Sequence, residues 1–187
     1  MLSDGVERVG ASLKRLKHQP VTVIAVAGGS CSGKTTFSRM ISKKYGAAML
    51  NMDDYYKGGN PKGNFDVPRS LDMALLRKHL AALKAGKPIR KPVYDFAVHK
   101  RAGYEKFKPA KVLILEGIFA LHRSLKSDLK VFVSATAKDR TERRIKRDMA
   151  ERGRTRSSII RQLKVVDRMY TKHVLPTKKF ADIVVSN

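Results

Sequence analysis

The chain has 187 residues and is 42% hydrophobic, enough for a packed core without help from a metal or a disulfide. Its one cysteine, Cys31, excludes an intramolecular disulfide, and its longest apolar run, Val23 to Ala27, is far short of a membrane span. Forty Lys and Arg against 16 Asp and Glu leave a net charge of +24, a surface that attracts polyanions without saying which kind.

Leu2, Val6, Val9, Leu13 and Leu16 recur at steps of four and three, so an amphipathic helix is expected up to Gln19-Pro20. Val21 to Ala27 is short, apolar and β-branched, as in a buried parallel strand. A Gly/Ser stretch leads into a helix from Lys34 to Tyr45, and Ala47 to Met52 reads as a second strand. Gly58, Gly59, Pro61, Gly63 and Pro68 mark a loop over 57–68. Ser70 is the expected N-cap of a helix through Ala85, with Gly86 as its stop. Residues 88–101 read as an edge hairpin because of their two prolines. Lys111 to Leu115 and Lys130 to Val133 are further buried strands. A basic helix from Ala137 to Gly153, a helix from Ser157 to His173 and a last strand at Asp182 to Val185 complete the chain. The alternation of strand and helix predicts one α/β domain over 1–187, with a parallel sheet of about five strands covered on both faces.

Gly28-Gly29-Ser30-Cys31-Ser32-Gly33-Lys34-Thr35 fits G-x-x-x-x-G-K-[ST] between a buried strand and a helix, the context this phosphate-binding loop requires. Its glycines let backbone N–H groups face an anion, and the helix N-terminus adds partial positive charge. Lys34 is placed to reach β- and γ-phosphates, and the Thr35 hydroxyl to ligate Mg²⁺. Glu116, directly after a buried strand, is the candidate second metal ligand. Cys31 is either a redox-sensitive thiol or a small residue that fits the loop. Asp53 and Asp54 follow the second strand, and either could accept a hydroxyl proton near the γ-phosphate; adjacent acids are also common on surfaces. Arg140, Arg143, Arg144 and Arg147 share one helix face, and Arg152, Arg154 and Arg156 continue the series past Gly153. Beside a phosphate loop this is the pattern of an arginine lid, here about 143–157; alone it is also that of a solvated basic helix or an RNA-binding stripe.

The chain resembles the uridine/cytidine kinases, in the wider group that includes phosphoribulokinase. The resemblance runs from about Val21 to Val185. It is carried by Gly28 to Thr36, Asp53-Asp-Tyr-Tyr56, Asn64-Phe-Asp66-Val-Pro68, Pro92-Val-Tyr94-Asp-Phe96 with His99 and Arg101, Leu115-Glu-Gly-Ile118, Arg143 to Asp148 with Glu151-Arg-Gly-Arg154, and Pro176-Thr-Lys-Lys179. It implies ATP and Mg²⁺ at the loop from Gly28 to Thr36, with Arg152 also near phosphate, and a small nucleoside as acceptor. It implies Asp53 as general base, and Lys34 and Arg147 on the transferring phosphate. Asp66 and Arg144 would hold the ribose hydroxyls, and Tyr56, Tyr94, Phe96 and His99 the pyrimidine side. Arg154 and Gln162 would close the acceptor site. Members commonly carry Ser and Phe where Asp54 and Tyr55 stand, His where Val67 stands and an acid where Arg69 stands. They usually continue past the last strand, where this sequence ends at Asn187.

The expected activity is phosphoryl transfer to the 5′-hydroxyl of uridine or cytidine. The alternatives are a kinase of another small sugar or sugar phosphate, and an RNA-binding NTPase. The charge is expected to attract nucleic acid only non-specifically. No membrane partner and a cytoplasmic location are expected, and a homo-oligomer stays open. No secretory leader is expected, because Asp4 and Glu7 are followed by no long apolar segment.

Overall fold

Five short aliphatic runs pair in register into one parallel sheet. They are β1 (Thr22–Gly28), β2 (Ala48–Asn51), β5 (Val112–Glu116), β6 (Leu129–Ser134) and β7 (Ile183–Ser186), in the order β2-β5-β1-β6-β7. The remaining strands, β3 (Ile89–Asp95) and β4 (Lys100–Phe107), form a separate antiparallel hairpin. The helices are α1 (Leu2–Arg15), α2 (Lys34–Tyr45), α3 (Met73–Lys84), α4 (Ala137–Arg152) and α5 (Arg156–Met169). This computed structural model describes residues 1–58 and 64–187, the side chain of Arg152 excepted. The expected turn residues Gly59, Pro61 and Gly63 lie outside the described residues.

β1 is buried along its whole length because both faces of the sheet are covered, which is why its sequence is continuously apolar rather than alternating. Ile24, Val26, Ile114, Val131 and Val133 pack against Val6 and Val9 of α1 and Phe37 and Ile41 of α2. Val23, Ala25, Leu113, Leu115 and Phe132 face Leu76, Leu80 and Leu83 of α3, with Phe119 and Leu121. Each fully buried Val, Leu or Ile side chain contributes about 1.5–3 kcal/mol relative to exposure, so the two layers fix where the strand ends fall. Among the described residues no helix is long and apolar enough to cross a membrane.

Three expectations change. Ser70 does not cap α3: its hydroxyl donates to the carbonyls of Val67 and Phe65, closing a short 3-10 turn at Pro68–Ser70. Asp72 is the cap, its Oδ1 accepting from the Leu75 N–H at 3.1 Å. The hairpin extends past residue 101 to Phe107. Its second strand is mostly exposed, with no apolar alternation to announce it. α5 stops at Met169, not at His173. Tyr170–Val174 widens into a π-turn, because the ring of Pro176 cannot be accommodated by a continuing helix.

Candidate functional site

In a parallel sheet the carboxyl ends of neighbouring strands open into one crevice. β2, β5 and β1 are neighbours, and the register places Asn51 and Val26 on either side of Glu116. The residues that follow these strands therefore meet: the Asp53 turn after β2, Glu116 at the end of β5 and the glycine loop after β1.

The glycine loop is shaped for close backbone approach. Gly28 has φ +151°, and a Cβ there would lie 2.3 Å from the Val133 carbonyl oxygen of β6. Gly33 caps α2 at φ +94°, with the Asn187 side chain where its Cβ would be. Cys31 takes a left-handed conformation (φ 60°) at the tip. Behind the loop, Lys34 Nζ lies 3.7 Å from Glu116 Oε1, and the Thr35 hydroxyl donates to Glu116 Oε2 at 3.3 Å. A cavity of about 300 Å³ is lined by Cys31, Gly33, Lys34, Thr35, Thr36, Arg143, Arg147 and Asn187. Gly29, Ser30 and Ser32 complete the loop, and the Ser32 carbonyl accepts from the Asn187 side chain at 2.9 Å. A wider cleft of about 450 Å³ lies at the opposite end of the sheet, against α1. The polar groups there are already bonded within the protein: Arg8 to the Val184 carbonyl, Asp128 to the Val23 N–H and Lys84, and Asp182 to the Lys130 N–H.

The two adjacent acids part company. Asp53 and Asp54 lie in a 3-10 turn, Met52–Tyr55, capped by Asn51, whose Oδ1 accepts from the Asp53 N–H at 3.0 Å. Asp54 Oδ2 accepts from Lys91 Nζ of the hairpin at 2.7 Å, so this carboxylate is committed to an ion pair. Burial pushes the Asp66 carboxyl above its ordinary value, while the nearby charges of Arg144 and Lys34 pull it down. Asp66 thus feels the charges of both Arg144 on the arginine helix and Lys34 behind the loop.

Tyr94, Phe96 and His99 of the hairpin form an aromatic cup with Tyr56 and Phe65. Tyr56 meets Tyr94 (centroids 5.5 Å apart), Phe65 (5.3 Å) and Phe96 (6.3 Å), and His99 stacks on Phe65 at 5.0 Å. Local chemistry sets this up. Asp95 Oδ1 accepts from the Ala97 N–H at 2.8 Å, which closes the turn, and His99 takes a positive φ that swings its ring inward. The Tyr94 hydroxyl and His99 Nδ1 are buried and have no hydrogen-bond partner among the described residues. Burial also raises the Tyr94 hydroxyl above its ordinary value.

The arginine face is organised from within. Asp148 is fully buried, with its carboxylate 2.7 Å from Arg147, 3.5 Å from Arg144 and 3.6 Å from Arg154. Gln162 Oε1 accepts from both Arg144 and Arg154. Arg140 leaves the group: its guanidinium lies 4.1 Å from the centre of the Tyr170 ring and 3.4 Å from Asp167. Arg152 ends α4, and its side chain lies outside the described residues. Asp148 and Phe65 stand inside the motifs of the resemblance but were assigned no role from the sequence. Asp148 had a usable signal: it follows Arg147 directly and stands four residues after Arg144, within reach of both.

Comparison with known proteins adds relatives over nearly the whole chain. The profile of the phosphoribulokinase / uridine kinase family matches residues 23–187. A uridine kinase of Deinococcus deserti is 43% identical over 183 residues, covering 90% of this chain and 88% of that one. A uridine kinase of Macrococcus caseolyticus is 42% identical over 181 residues, covering 88% and 87%. Among solved structures, a protein from Bacillus stearothermophilus described as a possible uridine kinase shares the fold with a TM-score of 0.69 at 19% identity, covering 98% of both chains. Phosphoribulokinase from Rhodobacter spheroides does so with a TM-score of 0.68 at 17% identity, covering 90% of this chain and 70% of that one.

Proposed function

The chain belongs to the phosphoribulokinase / uridine kinase family, and from that premise we propose that it transfers the γ-phosphoryl group of ATP to the 5′-hydroxyl of uridine or cytidine. The observation that carries the acceptor is the aromatic cup, with two buried polar atoms that a pyrimidine edge would satisfy. Two relatives at 42–43% identity are named uridine kinases, which supports the same acceptor.

The residues at the loop fit MgATP. A Cβ at Gly28 would meet the Val133 carbonyl and one at Gly33 the Asn187 side chain, so the loop takes a path open to glycine, and its amide N–H groups with the start of α2 suit phosphate. Among the described residues no cluster of three or more His, Cys, Asp or Glu could hold a metal by itself. Thr35 and Glu116 supply two oxygen ligands, the usual protein share for Mg²⁺ bound together with phosphate. The ion would neutralise phosphate charge.

Asp53 accepts the 5′-hydroxyl proton as that oxygen bonds to the γ-phosphorus and the bond to the ADP oxygen breaks. Lys34 and Arg147 stabilise the charge that spreads over the transferring group. Asp66, with Arg144 near its carboxylate, accepts from the two ribose hydroxyls. Tyr56, Phe96 and Phe65 pack on the base, and Tyr94 and His99 read its edge. Arg154 and Gln162 close the acceptor side, Arg152 and the loop from Gly28 to Thr36 serve the donor, and residues 143–157 move as the lid of a single kinase domain spanning 1–187. The hairpin, expected over 88–101, holds the acceptor.

ADP release measured across nucleosides and sugar phosphates tests the reading. Uridine or cytidine should lead, ahead of their 2′-deoxy forms, because Asp66 would be left with an unmet acceptor. A purine nucleoside or a sugar phosphate clearly ahead would overturn the acceptor and leave the kinase chemistry standing.

A further inference from the structure

The two strands of the hairpin grip the turn that holds Asp53. On β4, Arg101 donates to the carbonyls of Tyr56 (3.1 Å) and Tyr55 (3.4 Å) and to Asp72 (3.2 Å). On β3, Lys91 is only 8% exposed, and its Nζ lies 2.7 Å from Asp54 Oδ2 and 2.6 Å from Glu105 Oε1. Glu105 is its cross-strand partner and is half exposed, whereas Asp54 is mostly buried and adjoins Asp53. An ammonium group is costly to bury unless its N–H groups are met. Burial works against the charged form of Lys91, but the two carboxylates outweigh it and hold its pKa above the ordinary value. The register of the hairpin shifts between Val93 and Tyr94, and Tyr94 is buried like Lys91 despite the odd spacing between them. One strand therefore places a tyrosine in the aromatic cup and a lysine on the neighbour of Asp53.

We propose that Lys91 is a positioning residue that carries the seating of the acceptor base in the hairpin to the turn that aims Asp53. The mechanism is a rigid link. A base held by Tyr94 and His99 fixes the hairpin, and the buried Lys91–Asp54 pair fixes the turn relative to it. The proposal rests on the reading of Asp53 as the base and of the cup as the acceptor's seat.

The test uses the full chain with Lys91→Met, Asp54→Asn, the two combined, and Lys91→Arg. The readouts are kcat and KM for uridine, and amide hydrogen exchange over residues 52–56. Each charge-removing variant should lower kcat on the order of tenfold, the scale of a small misplacement of a catalytic group, with a smaller change in KM. The double variant should lose no more than either single one, because both break the same link. Lys91→Arg should keep most of the activity, and exchange over 52–56 should quicken in Lys91→Met but not in Lys91→Arg. Losses that multiply in the double variant, or an unchanged kcat with unchanged exchange, would overturn the proposal. Should Lys91→Met fail to fold, Asp54→Asn and Lys91→Arg decide it by the same readouts. If the wild-type chain does not phosphorylate uridine, the acceptor reading fails, and the exchange measurement still decides whether Lys91 orders the turn.

Discussion

Replacing Asp148 with asparagine keeps the shape of the side chain and removes the charge that, among the described residues, Arg144, Arg147 and Arg154 share. Asp148 is 0% exposed, and Arg144 is 6% exposed, so that pair is shielded from water. Arg147 and Arg154 keep 29% side-chain exposure, and solvent takes up part of their unpaired charge. Removing one member of a buried ion pair costs about 3–5 kcal/mol, and the partial exposure puts this case near the low end, about 3 kcal/mol. For a chain of this size each kcal/mol lowers Tm by about 2–4 °C, so Asp148→Asn should melt roughly 6–12 °C below the wild type. The deficit should narrow in saturating MgATP, whose phosphates bring negative charge to the same arginines. Thermal melts followed by circular dichroism, with and without nucleotide, read both effects. A Tm within about 1 °C of wild type in the absence of nucleotide, far inside the range from the buried-pair cost, would refute Asp148 as the counterion that holds the arginine face together.

Three further outcomes are expected. Lys34→Ala should fold normally and lose measurable transfer, because it removes the charge beside the transferring phosphate; ADP release near the wild-type rate would remove the loop from the mechanism. Asp53→Asn should lower kcat by on the order of 10²–10⁴, well beyond the loss in Asp54→Asn, and the reverse order in steady-state assays would assign the base to Asp54. Asp66 holds its proton more tightly when folded, so its contribution to stability is present on the acid side and is lost as pH rises through its folded pKa. On the proposed role of Asp66, uridine binding needs the ionised form. Its Kd should therefore climb on the acid side at a pH above the ordinary carboxylate value of about 3.9. In Asp66→Asn binding should be weak and lack that limb, and an identical limb in the variant would exclude Asp66.

The strands of the sheet and the phosphate loop were legible locally. A buried parallel strand must be continuously apolar, and the loop's glycines and Lys-Thr pair are demanded by backbone contact with phosphate, so residues 21–36 announce their own structure and chemistry. The family resemblance supplied Asp66, Tyr94 and His99, whose types alone would have passed for surface or core residues. What the sequence left open were pairings between distant segments. Asp53 and Asp54 look alike in the chain, and the lysine 37 positions away from Asp54 that the hairpin brings to its carboxylate is announced by neither acid. Four arginines on one helix face look like a surface awaiting an anion. Packing α5 against α4 shows that Asp148 and Gln162 already bind Arg144 and Arg154, while Arg140 turns away to Tyr170. Propensity and motif are properties of neighbours in the chain, whereas the charge state and aim of a buried side chain depend on which distant residues the fold sets against it. For this protein the phosphate loop could therefore be read from the sequence, whereas the partners of its acids and arginines are set by the tertiary structure.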